Sequence, residues 1–419
     1  MIGVVHVMIL LGLAWFFFKR SGQEYPRVFW FAFLFRIFMG AALGLVYLYY
    51  YSANDTWLFF QDANVLAQFG KSDFAAYLKF LFTNDAPVSL VEQLVNGQDR
   101  TLFLIKFMSV FSWIGGNNYW ISAAYFSFIS FLASWYLFSV VTRMFENSWK
   151  AASFSFFFFP SVAFWSSGLV KETLALAGIY FIAGVFLKFI DQQKTGWFEW
   201  VIALYGFWIA WKLKYYWIGL FGAVMFTYVF IFFISRRYSF IQKHKTISWL
   251  IIFVFLCGGA SLLHPNFYLH RFLEVLITNH NDFIKISDND GLIHFYNLHA
   301  SWSSVILNSP WALFSGLLRP FVWEASGITA ILASLENSVI AILLISSLRG
   351  LMKEHAHRLL LLSTIVYITL LCIFLALSTP NFGSLSRYRV GFLPFLIFII
   401  SYGNPLFVYL SDRVKFLKP

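Results

Sequence analysis

Charge is scarce in this sequence. Only 12% of the 419 residues are Asp, Glu, Lys or Arg, while 60% are apolar and 22% aromatic, and the mean hydropathy is +0.72. Such a chain has too little polar surface to coat a water-soluble globule, so its solvent is expected to be lipid. Cysteine is nearly absent: Cys257 and Cys372 both lie inside apolar runs, which argues against a disulfide framework and against a thiolate metal site. Period-2 alternation is missing as well, and with it the signature of a lipid-facing β-barrel. The formal net charge of +11 suggests nucleic acid at first sight. The basic residues, however, fall in short clusters between apolar segments instead of along a solvated face, which argues against nucleic-acid binding. The first apolar run, Ile2 to Phe18, has no basic residue before it and carries Lys19 and Arg20 behind it. That order is the reverse of a secretory signal peptide, so the run is read as a span.

What the sequence does have is apolar runs. They fall at residues 2–18, 28–51, 119–141, 151–168, 173–190, 198–211, 216–234, 247–263, 326–347, 359–378 and 390–410, and about 20 apolar residues cross the hydrocarbon as a helix. Backbone polar groups in lipid must be satisfied within the segment, so helices are required. The expected fold is an all-α integral membrane protein with about eleven transmembrane helices, a single polytopic domain over residues 1–419. Lys212 and Lys214 interrupt the runs at 198–211 and 216–234, leaving a re-entrant hairpin as an alternative there.

Basic residues occupy alternate connectors: Lys19, Arg20 and Arg27; Arg143 and Lys150; Lys188 and Lys194; Arg236, Arg237, Lys243 and Lys245; Arg349, Lys353 and Arg358; Arg413, Lys415 and Lys418. The positive-inside rule puts these in the cytoplasm and the amino terminus outside. Two long connectors, 51–118 and 264–325, then fall on the extracytoplasmic side. Their amphipathic stretches, such as Phe74 to Phe82 and Thr101 to Trp113, suit helices lying in the interface plane.

Candidate chemistry gathers at that outer side. Asp55 and Asp62 flank an apolar patch just after the second run; a carboxylate there serves as a base, holds a divalent cation, or merely caps a helix. The segment Phe164-Trp165-Ser166-Ser167-Gly168-Leu169-Val170-Lys171-Glu172 forms a short turn at membrane depth. Charges so placed face a cavity or a partner, and Lys171 either neutralises a phosphate or pairs with Glu172. Lys214 joins it as a candidate for substrate binding. Arg319 in Arg-Pro-Phe-Val-Trp-Glu either pairs with Glu324 or offers its fork to a pyrophosphate. Glu336 and Asn337, inside an apolar run, need partners, as does Arg36. Arg387 and Arg389 lie on the side where basic residues are disfavoured, which points to an anionic ligand or to salt bridges with loop acids. His264, His270, His280, His294 and His299 share the second long loop but match no zinc spacing.

These motifs resemble the GT-C superfamily of multi-spanning glycosyltransferases. The resemblance rests on the acid of the first outer loop with the small-residue helix after it (Asp62 to Ala67), the Lys171–Glu172 turn, the Arg319 segment, and Arg387-Tyr388-Arg389 with Pro394 behind. It implies transfer of a sugar from a polyprenyl-phosphate donor to an acceptor glycan or lipid, on the outer face of a bacterial cytoplasmic membrane. Asp62, ahead of Asp55, would be general base or metal ligand, and the later basic residues would hold the phosphate. An oligosaccharide polymerase or ligase using polyprenyl pyrophosphate, resting on Arg319, Arg387 and a loop histidine, is a second reading. A transporter of lipid-linked sugars is a third, disfavoured by how few charges the spans contain.

Overall fold

The computed structural model describes residues 2–51, 54–83, 90, 92–263, 268–347 and 357–413. The expected topology residues Arg349, Lys353, Lys415 and Lys418, and also His264, lie outside them. Among the described residues the regular structure is helical, apart from one isolated bridge between Leu292 and Asn381. Seven helices are long and apolar enough to cross a membrane, and an eighth is added if one bent pair is a single span. The chain divides into two compact units, one of residues up to Tyr215 and one from Tyr216 to Arg413.

The first unit starts with α1 (Ile2–Phe17) and α2 (Pro26–Tyr49), whose Pro sits in the first turn where its missing N–H costs nothing. The first long connector is itself folded: α3 (Asp55–Ser72), α4 (Phe74–Phe82) and α5 (Asp99–Ile114) pack together, α3 chiefly against α5. Tyr77 of α4 is tied to Ser109 of α5 by a 2.9 Å hydroxyl pair. In α5, Lys106 donates to the Thr83 carbonyl at 2.6 Å and lies 4.0 Å from the centre of the Phe80 ring. Burial pushes its ammonium down to about 8.

Next comes α6 (Tyr119–Met144), the centre of the unit, packed most extensively against α2 and α9 (Lys171–Ile190). The run at 151–168 is not one helix. It is α7 (Trp149–Ser153), a π-helical turn at Phe154–Phe158, an extended residue at Phe159, and α8 (Pro160–Trp165). Proline inside an apolar run removes a donor and breaks the helix, which hydropathy alone does not register. The runs at 198–211 and 216–234 form two helices, labelled together α10 (Trp197–Ile234), that meet in a kink at Lys214, whose φ of −141° and ψ of 60° are non-helical.

Helices α9 and α10 approach until their backbones touch at Gly178 and Gly206. A Cβ on Gly206 would stand 2.9 Å from the Gly178 Cα, and one on Gly178 would run into the Gly206 carbonyl. In lipid, where apolar side chains gain nothing by leaving their surroundings, such close backbone contact is a main source of helix association.

In the second unit follow α11 (Ser239–Lys243) and α12 (Lys245–Leu263). The second long connector holds α13 (Leu269–Ile286) and α14 (Trp302–Leu318), both packed against α16 (Arg358–Ser378). The apolar stripe of α13 buries Leu273, Leu276 and His280, the spacing of one helical face. Between α13 and α14, the Ile293 N–H donates to the Pro380 carbonyl at 2.8 Å. Helix α15 (Ile328–Ser347) packs on α14 and on α18 (Leu393–Ser401). The final run bends by 70° between residues 382–391, which include α17 (Phe382–Tyr388), and α18. Short α19 (Pro405–Asp412) ends the described chain.

Gly206→Val is expected to destabilise the protein in detergent by roughly 1–3 kcal/mol, from overpacking against backbone that cannot yield. Gly258→Val, at a glycine with nothing within 4 Å of the added carbon, is the control. Thermal unfolding of the two variants checks this, and equal midpoints contradict it.

Candidate functional site

Charged constellations of candidate residues form in each unit. In the first, Glu172 and Lys214 meet: Lys214 Nζ lies 2.6 Å from Glu172 Oε1, with the residues 5% and 0% exposed. Glu172 sits in the first turn of α9, where the aligned peptide dipoles favour a carboxylate. Lys214 sits at the break in α10. An ion pair this deep is held because removing either partner leaves an unmatched charge, not because it adds much net stability. Lys171, next in sequence to Glu172, turns elsewhere, since neighbours at i and i+1 on a helix do not face each other. Its ammonium donates to Thr101 Oγ1 at 2.7 Å and lies 5.4 Å from the centre of the Phe59 ring.

Thr101 belongs to the first turn of α5, and its neighbour Arg100 lies over the ring of Tyr215 at 4.4 Å. Tyr215 follows Lys214 in sequence. Three adjacent pairs, Arg100-Thr101, Lys171-Glu172 and Lys214-Tyr215, therefore close a ring: Thr101 to Lys171, Glu172 to Lys214, Tyr215 to Arg100. Two helices, α5 and α9, begin at this ring, so two sets of amino-terminal N–H groups add their positive ends. A cation in the first turn of a helix opposes that dipole, yet both Arg100 and Lys171 occupy one. Three cations and two helix starts against Glu172 and the exposed Asp99 leave a positive excess, a setting that favours an anion. Arg100 is exposed and Lys171 half-buried, so the ring reaches the surface.

The two acids that the sequence offers for catalysis, Asp55 and Asp62, share a face of α3 with Phe59 between them, at i, i+4 and i+7. Asp62 is 2% exposed and its oxygens are engaged. Oδ1 accepts from the Val95 N–H at 3.0 Å, and Oδ2 accepts from the Asn96 N–H at 3.1 Å and from Asn96 Nδ2 at 2.9 Å. It thereby fastens the segment that leads into α5 and so into Arg100 and Thr101. Asp55 is half-buried in the first turn of α3, with no hydrogen-bond partner among the described residues.

In the second unit Arg319 takes the structural alternative. Its Nε lies 2.9 and 3.0 Å from the two oxygens of Glu324, and Nη2 lies 2.6 Å from Oε1. The Phe321 N–H also donates to Glu324 at 2.8 Å. Burial acts to raise the Glu324 carboxyl, but these donors and the guanidinium charge outweigh it and hold the group below the ordinary carboxylate range. Arg389 is buried in the turn that follows α17; its Nη1 donates to Asn337 Oδ1 at 2.6 Å and its Nη2 lies 3.8 Å from Glu336. Asn337 in turn donates to the Pro320 carbonyl at 3.0 Å. The two polar residues of α15 that need partners thus share one. Arg387 is half-buried beside this group in sequence. His280 is pushed to lower pKa by its burial, opposed by its 2.7 Å bond to the Leu377 carbonyl.

Sequence reasoning does not reach Arg100, Thr101 and Tyr215. The signal for them is Gln98-Asp99-Arg100-Thr101, a helix start whose basic residue has the wrong sign for its position. Among the described residues no three His, Cys, Asp or Glu side chains gather as a metal site would require. No protein-family model, curated protein or solved structure matches this chain.

Lys214→Met is expected to cost about 3–5 kcal/mol by leaving Glu172 buried and unmatched, and Glu172→Gln added to it should restore most of that loss. A double-mutant cycle on unfolding midpoints measures the coupling, and additive losses contradict the pairing. For Glu324, the lowered folded-state pKa means its contribution is present at neutral pH and is lost as pH falls through and below the ordinary carboxylate range. Glu324→Gln should therefore lower stability at neutral pH and flatten its decline on acidification; parallel pH profiles for the two proteins contradict this.

Proposed function

We propose that this chain is a membrane-embedded glycosyltransferase that takes a sugar from a polyprenyl-phosphate carrier and passes it to an acceptor hydroxyl at the extracytoplasmic surface. The observation that supports it is the ring of Arg100, Lys171 and Lys214 around two helix starts. In this reading the apolar runs give about eleven crossings with the amino terminus outside, and the helical connector α3–α5 lies on the outer face, the side that positive-inside sorting assigns it.

The chemistry asks for two things. As the bond between the sugar's anomeric carbon and the phosphate oxygen breaks, that oxygen keeps the electron pair, and its charge needs fixed cations in a water-poor site. Arg100 and Lys171 supply them, with Lys214 held by Glu172. As the acceptor oxygen bonds to the same carbon, its proton passes to a carboxylate. Asp55 suits that role because its oxygens are not engaged among the described residues and it stands one turn from Phe59, over which Lys171 lies. Asp62, whose oxygens are occupied by three N–H donors, holds Val95 and Asn96 and through them the start of α5. The polymerase reading depends on Arg319, whose guanidinium is engaged by Glu324.

Arg100→Gln and Lys171→Gln should each weaken binding of an isoprenyl phosphate about tenfold, the loss of one charge-assisted contact. Asp55→Asn should leave that binding intact and abolish transfer. Titration of geranylgeranyl phosphate into purified protein in detergent reads the first, and a transfer assay with a polyprenyl-phosphate sugar reads the second. Unchanged affinity in the Arg100→Gln/Lys171→Gln double variant contradicts the proposal.

A further inference from the structure

Arg36 lies midway along α2, 1% exposed, and among the described residues it has no carboxylate partner. The hydrogen bonds of its guanidinium go to neutral oxygens: Nη2 to the Phe156 carbonyl at 2.6 Å and to Ser134 Oγ at 3.1 Å, and Nη1 to Ser166 Oγ. A charge at this depth is costly and is retained where it satisfies something that nothing else can.

What it satisfies follows from Pro160. In an α-helix the Phe156 carbonyl would accept from the N–H four residues on, and residue 160 has none to give. The chain compensates in part by widening: the Phe159 N–H reaches back to the Phe154 carbonyl at 2.7 Å, and Phe159 itself is extended, with ψ of 120°. The Phe156 oxygen is then taken by Arg36. A planar fork with five donors can reach an oxygen on each side of the break at once, which a lysine cannot.

The far side of the break is Ser166, the first residue after α8 and the start of the turn to Lys171. One helical turn along α2 from Arg36, Gly40 meets the same turn: a Cβ there would stand 3.1 Å from the Gly168 nitrogen and run into Ser127 Oγ. Gly168 has φ of +69°, which glycine adopts without cost, and its N–H donates to Ser127 Oγ at 3.0 Å. Thus Arg36 of α2 holds the Ser166 end of the turn, while Ser127 of α6, with Gly40 of α2 packed close, holds the Gly168 end, and three residues beyond Gly168 stands Lys171.

We infer that Arg36 is a positioning residue: it replaces the donor that Pro160 lacks, locks the broken helix to α2 and α6, and so sets where Lys171 and Glu172 stand. Its value for phosphate binding rests on the proposed function, but its geometric role does not, and the two are tested apart.

The experiment uses Arg36→Gln, Pro160→Ala and the double variant, each in full-length protein carrying Cys257→Ser and the reporter Val170→Cys. Val170 is fully buried at the end of the turn, and the remaining Cys372 is fully buried. Arg36→Gln should lower the unfolding midpoint by at least about 5 °C and raise the rate at which a water-soluble maleimide modifies the reporter thiol about tenfold. Adding Pro160→Ala, which returns an N–H to the Phe156 carbonyl, should recover most of the midpoint while the maleimide rate stays high, because Ser166 still lacks its guanidinium. Strictly additive midpoints overturn the substitute-donor role. A maleimide rate unchanged by Arg36→Gln overturns the positioning role, whatever the midpoint does. If Arg36→Gln fails to insert, Arg36→Lys carries the same two readouts, keeping the charge but not the fork. Failure of the parent protein to bind geranylgeranyl phosphate would contradict the proposed function and leave both roles of Arg36 standing.

Discussion

A chain this apolar has one governing constraint: any polar group that leaves water must find its partner inside the protein. The packing of the first unit follows from three solutions to it. Glu172 is met by Lys214, the Phe156 carbonyl by Arg36, and the backbone of residues 95 and 96 by Asp62. In the second unit Arg389 meets Asn337 and Glu336, and Arg319 meets Glu324. Several of these contacts join segments far apart in sequence, and several coincide with an interruption of regular helix: the non-helical residue at Lys214, and the break before Pro160. Helix interruptions in lipid are tolerated where neighbouring side chains satisfy the freed groups, as the Arg36 guanidinium does for the Phe156 carbonyl.

The candidate site grows out of these structural contacts. Lys214 is fixed by Glu172, and its neighbour Tyr215 then presents a ring to Arg100; Lys171 is fixed at the end of a turn and reaches Thr101. Each cation in the ring is oriented by a contact of its own, so its position does not depend on a ligand. Preorganisation of that kind lowers the cost of binding an anion, since little side-chain freedom remains to be lost.

The class of the protein and the locations of most helices are legible in composition and hydropathy: the runs at 2–18, 28–51, 119–141, 173–190, 326–347 and 359–378 correspond to α1, α2, α6, α9, α15 and α16. The amphipathic stretches of the long connectors also form helices. What hydropathy does not carry is continuity. Pro160 interrupts an unbroken apolar run, whereas the break that Lys212 and Lys214 mark in composition is a kink at Lys214 in the backbone. Pairing is harder still. Lys171 and Glu172 invite a local pair, but a helix points them apart, and the partner of Glu172 lies 42 residues later. Asp62 has the sequence context of a catalytic acid, and the backbone segment it holds lies more than thirty residues away. Arg100 is marked in sequence only by a basic residue in the first turn of a helix, and its approach to Tyr215, more than a hundred residues later, leaves no local trace.

Photo-cross-linking most directly tests whether the ring of Arg100, Lys171 and Lys214 receives the phosphate of an isoprenyl lipid. The probe is an isoprenyl phosphate whose photoreactive group sits next to the phosphate, applied to the intact protein in detergent and followed by peptide mapping. Adducts are expected within residues 98–103, 168–172 and 212–216, suppressed by excess unlabelled lipid phosphate. Adducts confined to other segments, or equally abundant with competitor present, would contradict phosphate binding at the ring.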